Sequence, residues 1–122
     1  MKKTELEERL INFAVQIISL SGQVSKSKAG NHLIGQLLRS GTSPALNYAE
    51  AQGAESIKDF IHKLQIVLKE LRETFVNLQI IDRSNLCRSN SQLEMTLKEN
   101  DELIAIMVKS VKTSKLRLTS NK

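Results

Sequence analysis

A chain of 122 residues with 3% aromatics, no tryptophan and one proline is long enough to bury one core and too short for two, and its Leu-, Ile- and Val-based vocabulary excludes sandwiches and barrels in favour of a few long helices. A single cysteine, Cys87, excludes an intrachain disulfide and a cysteine-based metal centre within one chain, and makes a reducing, cytoplasmic compartment the expectation. The net charge of +5 is formally that of the last residues: the stretch from Lys109 to Lys122 carries five bases and no acid, so residues 1–108 balance. A second asymmetry lies inside the balanced part. From Arg9 to Ala49 the charges are Arg9, Lys26, Lys28 and Arg39 with no acid, so one half of the molecule is expected to be mildly basic.

The first helix is expected from about Thr4, whose hydroxyl and Glu7 form a capping-box pair, to about Ser21, with Gly22 as its stop. Leu6, Leu10, Phe13, Ile17 and Leu20 recur at spacings of four and three, the seam of a helix facing a partner. Ile11, Ala14, Val15 and Ile18 widen that seam beyond what one neighbour needs, so Ile11, Val15 and Ile18 are candidates for an interface between subunits. No run here spans a bilayer, because the longest uncharged stretch, Leu10 to Ser25, is polar within and too short. The opening MKKTELEERL brings three glutamates where a secretory signal would turn apolar.

A polar connection from Gln23 to Gly30 has the length of a turn between antiparallel neighbours. The second helix then presents Leu33, Ile34, Leu37, Leu38, Ala45, Leu46 and Ala49, with Pro44 inside it. The apolar phase is kept across the proline, which predicts a kinked but continuous helix rather than a restart at Ser43. Gly53 ends it, and Ser56 with Asp59 opens the third and cleanest helix, which carries Ile57, Phe60, Ile61, Leu64, Val67, Leu68, Leu71, Phe75, Leu78 and Ile81 on one face. Ile66, Val76 and Ile80 lie off that face and are further interface candidates. After the turn DRSNLCRSN, Ser91 with Glu94 is expected to cap a fourth helix with Leu93, Leu97, Ile104, Met107 and Val111. Together these elements predict an all-α, antiparallel up-down-up-down four-helix bundle over residues 1–112, followed by a disordered basic tail over 113–122.

No catalytic constellation emerges, and an enzyme, a cofactor and a metal are not expected. Asp59 and His62 have the three-residue spacing of a helical metal ligand pair, but no second pair accompanies them, and Asp59 is accounted for by its cap. Cys87 lies beside Arg88 in a turn with no histidine expected near it. The glycines precede no phosphate-binding loop, and the aromatics fall on apolar seams rather than on a stacking surface. What remains is electrostatic contact with RNA or DNA through Arg9, Lys26, Lys28, Arg39, Lys109, Lys112, Lys115 and Arg117. The alternative is a protein-binding adaptor using the exposed apolar faces.

The run QLLRSGTSPALNYAEA, followed by SIKDFIHKLQIVLKELRE, resembles the four-helix-bundle family associated with intervening sequences of bacterial 23S ribosomal RNA genes. The matching positions are Arg39, Ser40, Ser43, Asn47, Ala49 and Glu50, then Lys58, Asp59, Phe60, Ile61 and His62. Ala51 and Gln52, which precede Gly53, and Tyr48 depart from the pattern. The resemblance implies a ring-forming homo-oligomer, a pentamer, without enzymatic activity. It also points to a related branch, the accessory protein of diversity-generating retroelements, in which a basic pentamer binds nucleic acid and a reverse transcriptase. Arg39, Asn47 and Glu50 read either as buried polar partners that fix helix packing or as a ligand site.

Overall fold

The computed structural model describes residues 1–120, and its regular elements are α1 (Lys3–Ser21), α2 (Lys28–Gln52), α3 (Ile57–Arg83) and α4 (Asn90–Ser120). Helices consecutive in sequence pack side by side, α1 also reaches α4, and the diagonal pairs stay apart. The result is the antiparallel four-helix bundle that the spacing predicts.

On α1 the five seam residues Leu6, Leu10, Phe13, Ile17 and Leu20 are all buried, each contributing about 1.5–3 kcal/mol by leaving water. On α3 Ile61, Leu64, Val67, Leu71, Leu78 and Ile81 do the same. The other two helices bury faces that apolar spacing alone misreads. α2 turns inward Gly30, Leu37, Ser40, Gly41, Pro44, Tyr48 and Ala51, leaving Leu46 68% exposed. Small residues let backbones close up: a Cβ on Gly41 would stand 2.7 Å from both Ile17 Cγ1 and Cγ2. The helix runs unbroken through Pro44.

The buried face of α4 passes through Thr96 and Asn100 as well as Leu93, Leu103, Met107 and Val111, so Leu97 and Ile104 are only half-buried. Polar side chains enter such a core when they find partners. Asn100 Nδ2 donates to the Leu71 carbonyl at 3.0 Å, the Thr96 hydroxyl lies 2.8 Å from the Gln92 carbonyl, and Thr74 Oγ1 lies 2.9 Å from Ser40 Oγ, joining α3 to α2.

The helix ends adjust several expectations. α1 starts at Lys3 with Lys2 as an N-cap that makes no side-chain bond, so Thr4 is already helical and caps nothing. Ser56 caps α3 as expected, its Oγ accepting from the Asp59 amide at 3.0 Å. α4 begins one position earlier than its expected cap: Ser89, not Ser91, accepts from the Gln92 amide, at 3.4 Å. The basic tail expected from residue 113 is instead helix through Ser120, because Val111, Ser114 and Leu118 keep a buried or half-buried stripe going at helical spacing. The expectation for residues 121–122 falls outside the described residues.

Candidate nucleic-acid interface

Two turns distant in sequence meet at one end of the bundle. The α3–α4 turn closes with Asn85 in the left-handed region at φ 55°, a conformation asparagine tolerates better than most residues. There the Leu86 amide donates to the Ile81 carbonyl at 3.1 Å and the Asn85 amide to Asp82 at 3.1 Å, a Schellman stop built on asparagine. The α1–α2 turn lies against it. The Ser25 amide donates to the Leu86 carbonyl at 2.7 Å and the Arg88 amide to the Gln23 carbonyl at 2.8 Å, a one-rung antiparallel bridge between Val24 and Cys87. Val24 is fully buried beneath it. Ser27 then caps α2, accepting from the Gly30 amide at 3.1 Å, and a Cβ on Gly30 would fall 1.7 Å from the Ser25 carbonyl oxygen. Only glycine fits there.

This clamp gathers charge. Lys26 and Lys28 from one turn join Arg83 and Arg88 from the other, all four exposed, and Asp82 is the sole acid in residues 22–31 and 82–92. The Arg88 guanidinium is steadied by donating from Nη2 to the Gly22 carbonyl at 2.9 Å. The N-termini of α2 and α4 also lie here, with no acid in the first turn of either, beside the C-terminal, negative ends of α1 and α3. Arg83 and Arg88 were missed because their partners lie in another turn; the two arginines in DRSNLCRSN were the available signal.

The other expected phosphate ligands go elsewhere. Arg9 donates from Nε and Nη2 to the two carboxylate oxygens of Glu99 at 2.8 and 2.7 Å, with Glu102 at 3.6 Å. Arg39 donates to Glu70 at 3.0 Å and to Glu73 at 2.8 Å. Both guanidiniums are held above their ordinary pKa, first by the hydrogen bonds to Glu99 and Glu73 respectively. The expected basic half therefore does not form, because its arginines meet acids contributed by α3 and α4. Lys109, Lys112, Lys115 and Arg117 are exposed on the last turns of α4, roughly 30–40 Å along the bundle from the turn end at about 1.5 Å per residue.

Arg39 and Glu50 are exposed and Asn47 half-buried, so they are not the buried polar set. Glu50 pairs with Lys63 at 3.2 Å and Asn47 donates to Ser43. Tyr48 is 5% exposed, and burial pushes its phenol pKa up. Among the described residues no group of three His, Cys, Asp or Glu side chains is placed to hold a metal; His62 is exposed and Asp59 half-buried at the start of α3. No helix of the described residues is long and apolar enough to cross a membrane.

The interface candidates are mostly at the surface: Ile11, Val15, Ile18, Val76 and Ile80 are 42–59% exposed, and Ile66 is half-buried. Val76 and Ile80 line an open groove of about 890 Å³ between α2 and α3, whose rim includes His32, Lys69 and Arg72.

These features define an antiparallel helical bundle with a basic, clamped turn end and unpartnered apolar walls. The chain belongs to the 23S rRNA-intervening sequence protein family, whose model matches residues 2–109. It is similar to the crystal structure of a protein of unknown function from the S23 ribosomal protein family of Bacteroides thetaiotaomicron, with 32% identity and a TM-score of 0.82 over 92% of this chain and 99% of that one. A search of curated proteins returns no match.

Proposed function

We propose that the protein works by binding rather than by catalysis, as a self-assembling scaffold, a pentamer by its family resemblance, that engages RNA or DNA phosphates through its turn end. The observation that carries this reading is the clamp itself. Backbone hydrogen bonds between the two turns bring Lys26, Lys28, Arg83 and Arg88 together against a single acid, whereas Arg9 and Arg39 are paired with glutamates. Free, exposed bases on a rigid support are what phosphate contact needs; bases already paired would have to give up a partner.

The test is fluorescence anisotropy of labelled structured RNA and duplex DNA at several salt concentrations. Affinity should fall linearly in log salt, with a slope of about 0.9 per phosphate engaged on duplex DNA. Absence of binding at the lowest salt would remove this reading. It would leave the second one, a protein-binding adaptor, which the apolar groove between α2 and α3 favours.

A further inference from the structure

The four helices do not end level. Arg9 of α1 donates to Glu99 of α4 and Gln92 Nε2 donates to Ser19 Oγ, which fixes the antiparallel register of α1 on α4. Stepping back from Arg9 to Lys3, where α1 begins, is stepping forward from Glu99 to Ala105. From Ile106 onward α4 therefore runs past the start of α1. The shortfall leaves a cavity of about 440 Å³ at the end of the bundle opposite the clamp, with an apolar side that includes Leu6, Tyr48, Phe60, Leu64 and Ile106 and a polar side of Lys109, Ser110, Thr113, Ser114 and Arg117. Its size is that of a small-molecule site.

The polar side is unpartnered. Elsewhere on the helices Thr42, Thr74, Thr96 and Thr119 each donate a hydroxyl to the carbonyl one turn back. Ser110, Thr113 and Ser114 make no side-chain hydrogen bond among the described residues, although Ser114 is only 7% exposed. A hydroxyl buried to that degree ordinarily has a partner. Lys109 and Arg117 are exposed and form no ion pair among the described residues, and no acid lines the cavity. Lys109, Thr113 and Arg117 recur at a spacing of four on one stripe of α4. An anion beside Thr113 would stand roughly 6 Å along the axis from each cation, within reach of both long side chains.

We infer that this cavity binds a small amphipathic anion, a molecule with a compact alkyl or aryl body and a single carboxylate or phosphate group. The body lies against the apolar side, where Leu6, Tyr48 and Leu64 are almost fully buried and Phe60 and Ile106 half-buried, and its removal from water drives binding. The anionic group accepts hydrogen bonds from the Thr113 and Ser114 hydroxyls and sits between Lys109 and Arg117, where charge-assisted bonds hold it. Neither half of the ligand suffices: an inorganic anion leaves the apolar side wet, and an alcohol leaves both cations unanswered. The site is separate from the phosphate contact at the turn end, and a small probe without nucleic acid tests it alone.

Tyr48 is the only tyrosine and the chain has no tryptophan, so tyrosine emission reports on this cavity. Titrating the full chain with octanoate and with octyl phosphate should change that emission saturably for at least one of them, the tighter of the two naming the anionic group, and calorimetry should count one ligand per chain. Octanol and acetate should bind far more weakly. Lys109→Gln combined with Arg117→Gln, both at exposed positions and with circular dichroism as the check on folding, should weaken binding roughly tenfold or more, and Ser114→Ala should weaken it less. A silent titration with both amphiphiles, octanol binding as tightly as octanoate, or an unchanged affinity in the double variant would each overturn the inference. So would many weak sites per chain, which would mean adsorption to exposed apolar surface.

Discussion

Two arginines on the walls of the bundle and the bases at its turn end are treated oppositely. Along the walls, Arg9 ties α1 to α4 through Glu99, and Arg39 ties α2 to α3 through Glu70 and Glu73. At the turn end the positions of Lys26, Lys28, Arg83 and Arg88 are set by backbone hydrogen bonds, so their charges remain available. Net charge therefore says little about where a polyanion would sit; what matters is which bases the fold has already paired.

The strongest way to break this contrast is Gly30→Ala. The added Cβ would meet a backbone oxygen at 1.7 Å, which no side-chain rotation relieves, so the α1–α2 turn must move. We expect a cost of about 3 kcal/mol in denaturant unfolding, at the upper end for overpacking, together with weaker RNA or DNA binding. Lys26→Glu combined with Arg88→Glu should leave stability within about 0.5 kcal/mol, as surface changes do, while lowering the salt slope of binding by about 2 as two phosphate contacts go. An unchanged slope would dissociate the turn end from binding.

Glu99→Ala probes a wall instead. Its bidentate bond to Arg9 is partly buried, so unfolding should show a loss of about 1 kcal/mol, and freeing Arg9 should not raise nucleic-acid affinity. Gly35→Ala, on the same helix as Gly30 but with nothing within 4 Å of the new Cβ, should stabilise by about 0.5–1 kcal/mol through helix propensity. The opposite signs at two glycines of α2 would show that the turn, not the helix, requires glycine.

The smallest effect is expected at Tyr48, the only tyrosine. Burial favours its neutral phenol in the folded state, so its contribution to stability is complete below the unfolded pKa of about 10 and is lost as pH rises through the folded value. Phenolate absorbance should titrate later in the folded protein than in denaturant. Equal midpoints would mean that the phenol is solvated.

The fold was legible where apolar spacing is dense. The seam on α1 matches the buried set residue for residue, and α3 departs from it at half-buried edges such as Ile57, Phe60 and Phe75 and at the buried polar residues Glu70, Thr74 and Asn77. It was less legible on α2 and α4, where Gly41, Ser40, Thr96 and Asn100 occupy the inner face. Small and polar residues enter a core only because a specific neighbour closes on them or bonds to them, and one strand of sequence does not contain that neighbour. The candidate site was half legible for the same reason: Lys26 and Lys28 could be named, but not the arginines that join them.

The sequence by itself determined four helices, their order, their turns and the outward rows of Ile11, Val15, Ile18, Val76 and Ile80, because each depends on periods of three and four residues that local chemistry sets. Tertiary structure alone decided which charges are spent and which are free. Arg9 finds Glu99, Arg39 finds Glu70 and Glu73, and the turn bearing Lys26 finds the one bearing Arg88. Charge acts through space, and only the packed bundle fixes those distances.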